Sequence, residues 1–420
     1  MNLNLPFPEL YPIILETIQP TTRVFLVGGG VRDLILGCTP QDIDLALSSG
    51  VRQVSRKIAN YFKGAVYSLD DERQTMRVLV EYKDHPWKLD IALLRGGSLE
   101  SDLRTRDFSI NAMAIEIMRS GNHQFIDLLD GKEHLRKKII TACSPTSILD
   151  DPIRILRAER MAIRFHFAIS KSTQQQMVEA ASEIVRVSGE RQRDELFKLL
   201  SNASAEDGLN HLSHLGIFTT LFPMFQKEKI RQVGKFHRFL SVYTNANVKQ
   251  YFREPLNEDR SILSLVCIYL LLKPKNEDID AATRFYALSN RENEFLGRIK
   301  AGLSYLGKIL PDVQLTSREI YHFYQITKDA GVSVCMIYLT SSDLPEKSHK
   351  AQQLIAAYFD EFERYMEVIP LLNGNDLIRM FHLEPGPKFR QLLEALKEAQ
   401  AIGSVSTRTE AETFIARQLK

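Results

Sequence analysis

Cysteine is scarce in this 420-residue chain: the four present, Cys38, Cys143, Cys267 and Cys335, lie far apart, with neither CxxC nor Cys/His ligand spacing. Their scatter argues against a zinc site and against a disulfide framework, and suits a reducing cytosol. An excess of one charge is also missing, since 54 basic side chains meet 52 acidic ones and leave +2. No global basic field advertises nucleic acid, so any site for a polyanion must come from local clustering. Long apolar runs are absent: no stretch reaches the roughly 18 residues that span a bilayer. The opening "MNLNLPFPEL" lacks the basic segment and apolar segment of a secretory signal. These absences lead to the expectation of a cytoplasmic protein with no membrane partner. With 44% hydrophobic residues, the chain can still bury a sizeable core, in about two to four domains of ordinary size.

The first 140 residues mix β-rich runs, "RVFLVGG", "DIDLAL", "MRVLVEY", "WKLDIALL" and "INAMAIEIM", with short helical patches. From about residue 147 the strand signals fade and the apolar spacing becomes helical. In "DDPIRILRAERMAIRF", Ile153, Leu156, Met161 and Ile163 interleave with Arg154, Arg157, Arg160 and Arg164. "RDELFKLLS", "RSILSLVCIYLLL", "AQQLIAAYFDEFERYM" and "FRQLLEALKEAQAIG" continue as packed helices, with loops expected at "FREPLNEDR", "KPKNED" and "HLEPGPK". The fold class is α+β, a mixed head followed by a helical remainder.

The stretch "LVGGGVRDLILGCTPQDIDLAL" (26–47) holds two features of chemical interest. If "DIDLAL" is a strand, Asp42 and Asp44 project from one face, with Ile43 turned to the other. Two like charges on one face are unfavourable unless a cation or a base lies between them, so the pair suits a metal-nucleotide site; the plain alternative is a solvated turn. Gly28, Gly29 and Gly30 end an apolar run, and "VRDLILG" reads as a short helix stopped at Gly37. Such a turn exposes backbone N–H groups that can cradle phosphate, and Arg32 can add charge; a simple strand-to-helix corner is the competing reading. The spacing fits neither GxGxxG nor a P-loop, which disfavours a Rossmann site and a Walker ATPase.

Further on, Asp151, Arg154 and Arg157 fall at i, i+3 and i+6 of an expected helix, Arg160 extends the row, and Pro152 fits its first turn. That row is either a base-reading face or an exposed, ion-paired one.

"LVGGGVRDLILG…DIDLAL", "RDFSINAMA" (106–114), "IDLLDGKEHL" (126–135), "DDPIRILRAERMAIRF" (150–165) and "SGERQRDEL" (188–196) resemble, in order, the motifs of the bacterial class II tRNA nucleotidyltransferase and poly(A) polymerase family. The resemblance is close over the first 200 residues and looser to the end. It implies a polymerase-β-like head over 1–140, a base-recognition neck over 141–205, a helical body over 206–345 and a tRNA-binding tail over 346–420. It implies template-independent addition of C and A to the tRNA 3′ end from CTP and ATP, with release of pyrophosphate and Mg2+ as cofactor. By residue, Asp42 and Asp44 match the metal-binding pair, and Asp90 in "WKLDIALL" the third catalytic carboxylate. Gly29 and Arg32 match positions that contact the incoming nucleotide, as does Arg106; Asp151 and Arg154, with Arg157 and Arg160 beyond them, lie where the family reads the base. In that reading Asp107 and Asn111 brace a turn or touch ligand, and Glu190, Arg191 and Glu195 brace the base-reading helix.

Two departures matter. Many relatives that build the complete CCA end carry a long flexible loop between the third acidic strand and the "RDF" motif; here that link is only "RGGSLESDLRT". In the family a shortened loop accompanies CC addition, with a separate A-adding enzyme completing the end. In the body, where relatives often carry the His-Asp pair of an HD phosphohydrolase, this chain has Tyr269 and Leu270 in "LVCIYLLLKP", which cannot hold a metal. The alternatives to tRNA nucleotidyl transfer are a poly(A) polymerase and an RNA-binding relative without catalysis; an HD-type hydrolase is opposed by the missing ligands. The sequence leaves oligomeric state open.

Overall fold

Val24–Val27 is buried along its whole length because it runs inside a seven-stranded sheet, with a neighbour on either side. The computed structural model describes residues 5–40, 42–257, 260–272, 276–309, 315–341 and 345–419. Residues 1–223 and 224–420 form two compact units.

The first unit begins α1 (Leu10–Thr17), β1 (Val24–Val27), α2 (Gly29–Ile35), β2 (Asp42–Leu47), α3 (Val51–Phe62), β3 (Ala65–Asp70), β4 (Thr75–Tyr82) and β5 (His85–Leu93). It continues α4 (Leu99–Arg104), β6 (Met113–Glu116), β7 (Gln124–Asp127) and α5 (Gly131–Lys137). Then come α6 (Ser147–Asp150), α7 (Arg154–Phe165), α8 (Lys171–Ala180), α9 (Gly189–Leu200) and α10 (Ala205–His214). The sheet order is β3-β4-β5-β2-β1-β6-β7. Among the described residues of this sheet only β2 and β5 run parallel, and the register sets Asp44 beside Asp90. On β2, Ile43 and Leu45 are buried on the face opposite the two aspartates, as a period of two demands. Helix α3 packs against β4 through Val51, Val54, Ile58 and Ala59, whose spacing lines one helical face.

The five expected strands are present as β1, β2, β4, β5 and β6. The sequence reading missed β3 and β7, in which no residue is buried and the apolar signal is accordingly weak. The link after β5 is ordered. Arg95–Gly97 makes a 3-10 turn, Ser98 caps α4 through the N–H of Ser101, and Leu94, Leu99 and Leu103 enter a core with Phe25, Val27, Ala112 and Ala114. The helix expected to include Asp151 starts only at Arg154. Asp151 is extended, at φ −146° and ψ 92°, as the residue before a proline prefers, and Pro152 and Ile153 form the intervening turn.

In the second unit the regular elements among the described residues are helices, apart from the paired segments Pro255–Asn257 and Arg260–Ser261. Those segments lie where "FREPLNEDR" was read as a loop; residues 258–259 between them, and 273–275 of the expected "KPKNED" loop, fall outside the described residues. Tyr269 and Leu270 are buried in the apolar helix Ile262–Leu271. The last part has its own core, in which Leu372 and Leu377 meet Leu392, Leu396, Val405 and Ile415.

Candidate active site

A cavity of about 1780 Å³ in the first unit brings together Gly28, Gly29, Arg32, Asp44, Arg106, Asp151, Arg154, Arg157 and Arg160. Nine arginines and one lysine line it together with eight Asp and Glu residues, so cationic groups are gathered here among acids that hold several of them.

At one end, β1 stops at Gly28, whose φ of +75° disfavours any residue with a Cβ. A Cβ there would also meet Asp44 Oδ2 at 2.5 Å and Arg106 Nη1 at 3.3 Å, so the glycine lets carboxylate and guanidinium converge on the turn. Gly29 begins α2. Arg32, in the same helix, is buried: it donates from Nη1 to Asn111 Oδ1 at 2.7 Å and from Nε to Asp33 at 2.8 Å, and stacks 4.6 Å from the Phe165 ring centroid.

The three carboxylates share one face of β2 and β5, but their states differ. Asp42 is exposed and pairs with Lys88 at 2.9 Å. Asp90 holds Arg77 through two bonds, of 2.7 and 2.8 Å. Asp44 has no such counter-ion: burial pushes its carboxyl up to about 6, Asp90 and Asp42 add to the rise, and Arg106 opposes it. Among the described residues no three His, Cys, Asp or Glu groups form a ready metal-binding cluster. The oxygen-only donor set and the buried Asp44 carboxyl, with Asp42 and Asp90 on the same face, nevertheless fit a hard divalent cation, which would favour the charged form.

At the other end, Arg157 donates Nε and Nη2 to Asp107 and Nη1 to Glu195, while Arg160 donates Nε to Glu195 at 2.6 Å. Burial raises the Asp107 carboxyl, but Arg157, Asn111 and the Phe108 N–H outweigh it and hold the group below the usual aspartate range. Arg154 donates Nη1 to the carbonyls of Arg106 and Ser147 and to Ser147 Oγ, and Nη2 to the Thr105 carbonyl. Asp151 Oδ2 accepts from Arg191 at 2.8 Å. Arg157 and Arg160 are therefore engaged with acids, while Arg154 clamps the "RDF" turn. Asn111 accepts from Arg32 and donates to Asp107, a bridging role that its sequence position alone left undecided. Sequence reasoning missed Asp102, Asp33 and Phe165. The i,i+4 spacing of Asp102 and Arg106 was the signal available for the first; nothing local marked the others.

Family models match in the same regions. "Poly A polymerase head domain" covers 24–98 and 95–141, and "Probable RNA and SrmB-binding site of polymerase A" covers 166–229. The chain is 28% identical to the CC-adding tRNA nucleotidyltransferase of Geobacter sulfurreducens, covering 94% of this chain and 91% of that one. It is 27% identical to the A-adding tRNA nucleotidyltransferase of Deinococcus radiodurans, covering 93% and 94%. A solved complex of CCA-adding enzyme with ATP shares the fold, with a TM-score of 0.74 at 22% identity over 99% of this chain and 95% of that one.

Proposed function

We propose that the chain is a class II tRNA nucleotidyltransferase that adds two cytidines, and no adenosine, to the 3′ end of tRNA from CTP. The observation that carries the restriction to CC is the docked link: from Leu94 to Thr105 the chain closes as a turn and a short helix, with Leu94, Leu99 and Leu103 buried in the head core. A segment fixed in this way has no length left for the flexible loop that accompanies complete CCA addition in the family.

In this reading Gly28 and Gly29 admit the triphosphate close to the backbone, and Arg32 and Arg106 face it with fixed guanidinium groups. Asp42 and Asp44, with Asp90 beside them, would hold the divalent cation, magnesium in our reading, which when bound polarises the attacking 3′ hydroxyl and the phosphate oxygens. Asp151 and Arg154 select the base in this reading, Arg154 by exchanging its bonds to the Thr105, Arg106 and Ser147 carbonyls for the base edge, while Arg157 and Arg160 keep helix α7 in place through Asp107 and Glu195. The helical second unit would hold the acceptor arm of the tRNA.

The test is purified protein with tRNA ending at the discriminator base and labelled CTP and ATP, separately and together. Addition of two cytidines with either mixture containing CTP is the expected product. A CCA end, a long A tail, or A added only to a tRNA already ending in CC would overturn the proposal, the last in favour of the activity named for the Deinococcus relative.

A further inference from the structure

Asp102 is only 3% exposed, and a carboxylate so buried persists only when its oxygens are paired. Its Oδ2 accepts Nε of Arg106 at 2.9 Å and forms an ion pair with Nη2 at 2.8 Å, and its Oδ1 accepts the backbone N–H of Arg95 at 3.3 Å. Helix α4 presents it one turn before Arg106, between the core leucines Leu99 and Leu103, so neither backbone nor side chain is free to drift. The far edge of the Arg106 guanidinium then points to Gly28: its Nη1 lies 3.3 Å from the point that a Gly28 Cβ would occupy, where Asp44 Oδ2 also arrives. Two of Arg106's three nitrogens are thus tied behind it, and the third faces the site. The backbone of the same residue is fixed separately, by Arg154 on its carbonyl.

We infer that Asp102 is a positioning residue for nucleotide binding: it grips the rear of the Arg106 fork and aims the remaining edge at the Gly28–Asp44 corner, where a triphosphate would lie. The inference rests on the nucleotidyl-transfer reading above. A carboxylate is suited to the task because its charge strengthens the contacts of Oδ2 to the guanidinium while Oδ1 stays available for the Arg95 N–H; an amide has one oxygen for the two duties and no charge. Asp102 itself is shielded from the nucleotide by the arginine it holds.

Asp102→Asn keeps the size and an acceptor for the Arg95 N–H while removing the charge-assisted fork. Its expected effect is a rise of about tenfold to a hundredfold in KM for CTP, the range for residues that orient a contacting group, with kcat and KM for tRNA within about twofold of wild type. In an Arg106→Gln background the same change should cost nothing further. An unchanged KM, or an equal loss in both backgrounds, would overturn the inference, since Asp102 would then act independently of Arg106. Arg106→Lys, which keeps the charge and loses the fork, is the second variant should Asp102→Asn fold poorly: it should reproduce the rise in KM, and a normal KM would equally refute the idea. Wild-type protein that adds A in place of C would sink the CC reading alone, and the same comparison would then be run with ATP.

Discussion

Asp107 receives both Nε and Nη2 of Arg157, at 3.0 and 2.7 Å, and so ties the "RDF" turn of the head to helix α7. Through Asn111 the same carboxylate is linked to Arg32, and through Arg157 to Glu195 and Arg160. The phosphate end and the base end of the cavity therefore share one hydrogen-bonded chain, and a disturbance at either end reaches the other.

Removing the centre of that chain is costly to the fold. Arg157→Ala leaves Asp107 buried without its main partner and Glu195 with Arg160 but one guanidinium fewer, and should destabilise the protein by roughly 3–5 kcal/mol, as breaking a buried ion pair does. Because Asp107 is held below its ordinary range, its stabilising contribution is complete above the unfolded-state value near 4 and is lost as pH falls through the lower folded value. Urea denaturation of wild type and variant should show the gap at neutral pH and its narrowing in acid.

Asp44 works in the opposite sense. With its carboxyl raised to about 6, it is charged at pH 7.5 at a cost to folding that builds as pH rises from the unfolded value near 4 to the folded value. Asp44→Asn should lower CTP incorporation by about a hundredfold or more while raising Tm at pH 7.5 by roughly 2–4 °C. Below pH 4, where the wild-type carboxyl is protonated in both states, the Tm difference should vanish. Equal Tm values across the whole range would show that Asp44 carries no such penalty.

Two glycines that share a positive φ separate backbone strain from site chemistry. Gly28 and Gly37 both have φ of +75°, but only at Gly28 would a Cβ meet Asp44 and Arg106; at Gly37 nothing lies within 4 Å. Each alanine substitution should cost about 1–3 kcal/mol for holding a Cβ-bearing residue at positive φ. Nucleotide incorporation should be lost in Gly28→Ala and retained in Gly37→Ala, as single-turnover assays with CTP can show.

The docked link can be probed at Leu103, which is fully buried in the head core. Leu103→Ala should cost about 2–5 kcal/mol through the cavity it leaves, measured by thermal denaturation. A change within about 0.5 kcal/mol would mean that the link is not anchored as described.

Much of this site could be read from local pattern. A period of two placed Asp42 and Asp44 on one face of β2 and buried Ile43 and Leu45 behind them. The glycine turn before α2 was legible because positive φ and close approach have few alternatives to glycine, and the arginine row because its spacing follows a helix. Local pattern failed where the apolar signal was weak, as in β3 and β7, and where proline chemistry outweighed periodicity, so that Asp151 precedes α7 rather than joining it.

The sequence by itself determined which residue types stand on which faces, since side-chain direction along a strand or helix is fixed by backbone geometry. Only the tertiary structure decided which of those groups meet. The parallel register of β2 and β5 set Asp44 beside Asp90, Lys88 and Arg77 took up the outer two carboxylates, and Asp102 claimed the back of Arg106. Arg154 was turned onto the carbonyls of Thr105 and Arg106. Such pairings depend on strand register and on burial between distant segments, and those are properties of the packed chain rather than of any short stretch of it.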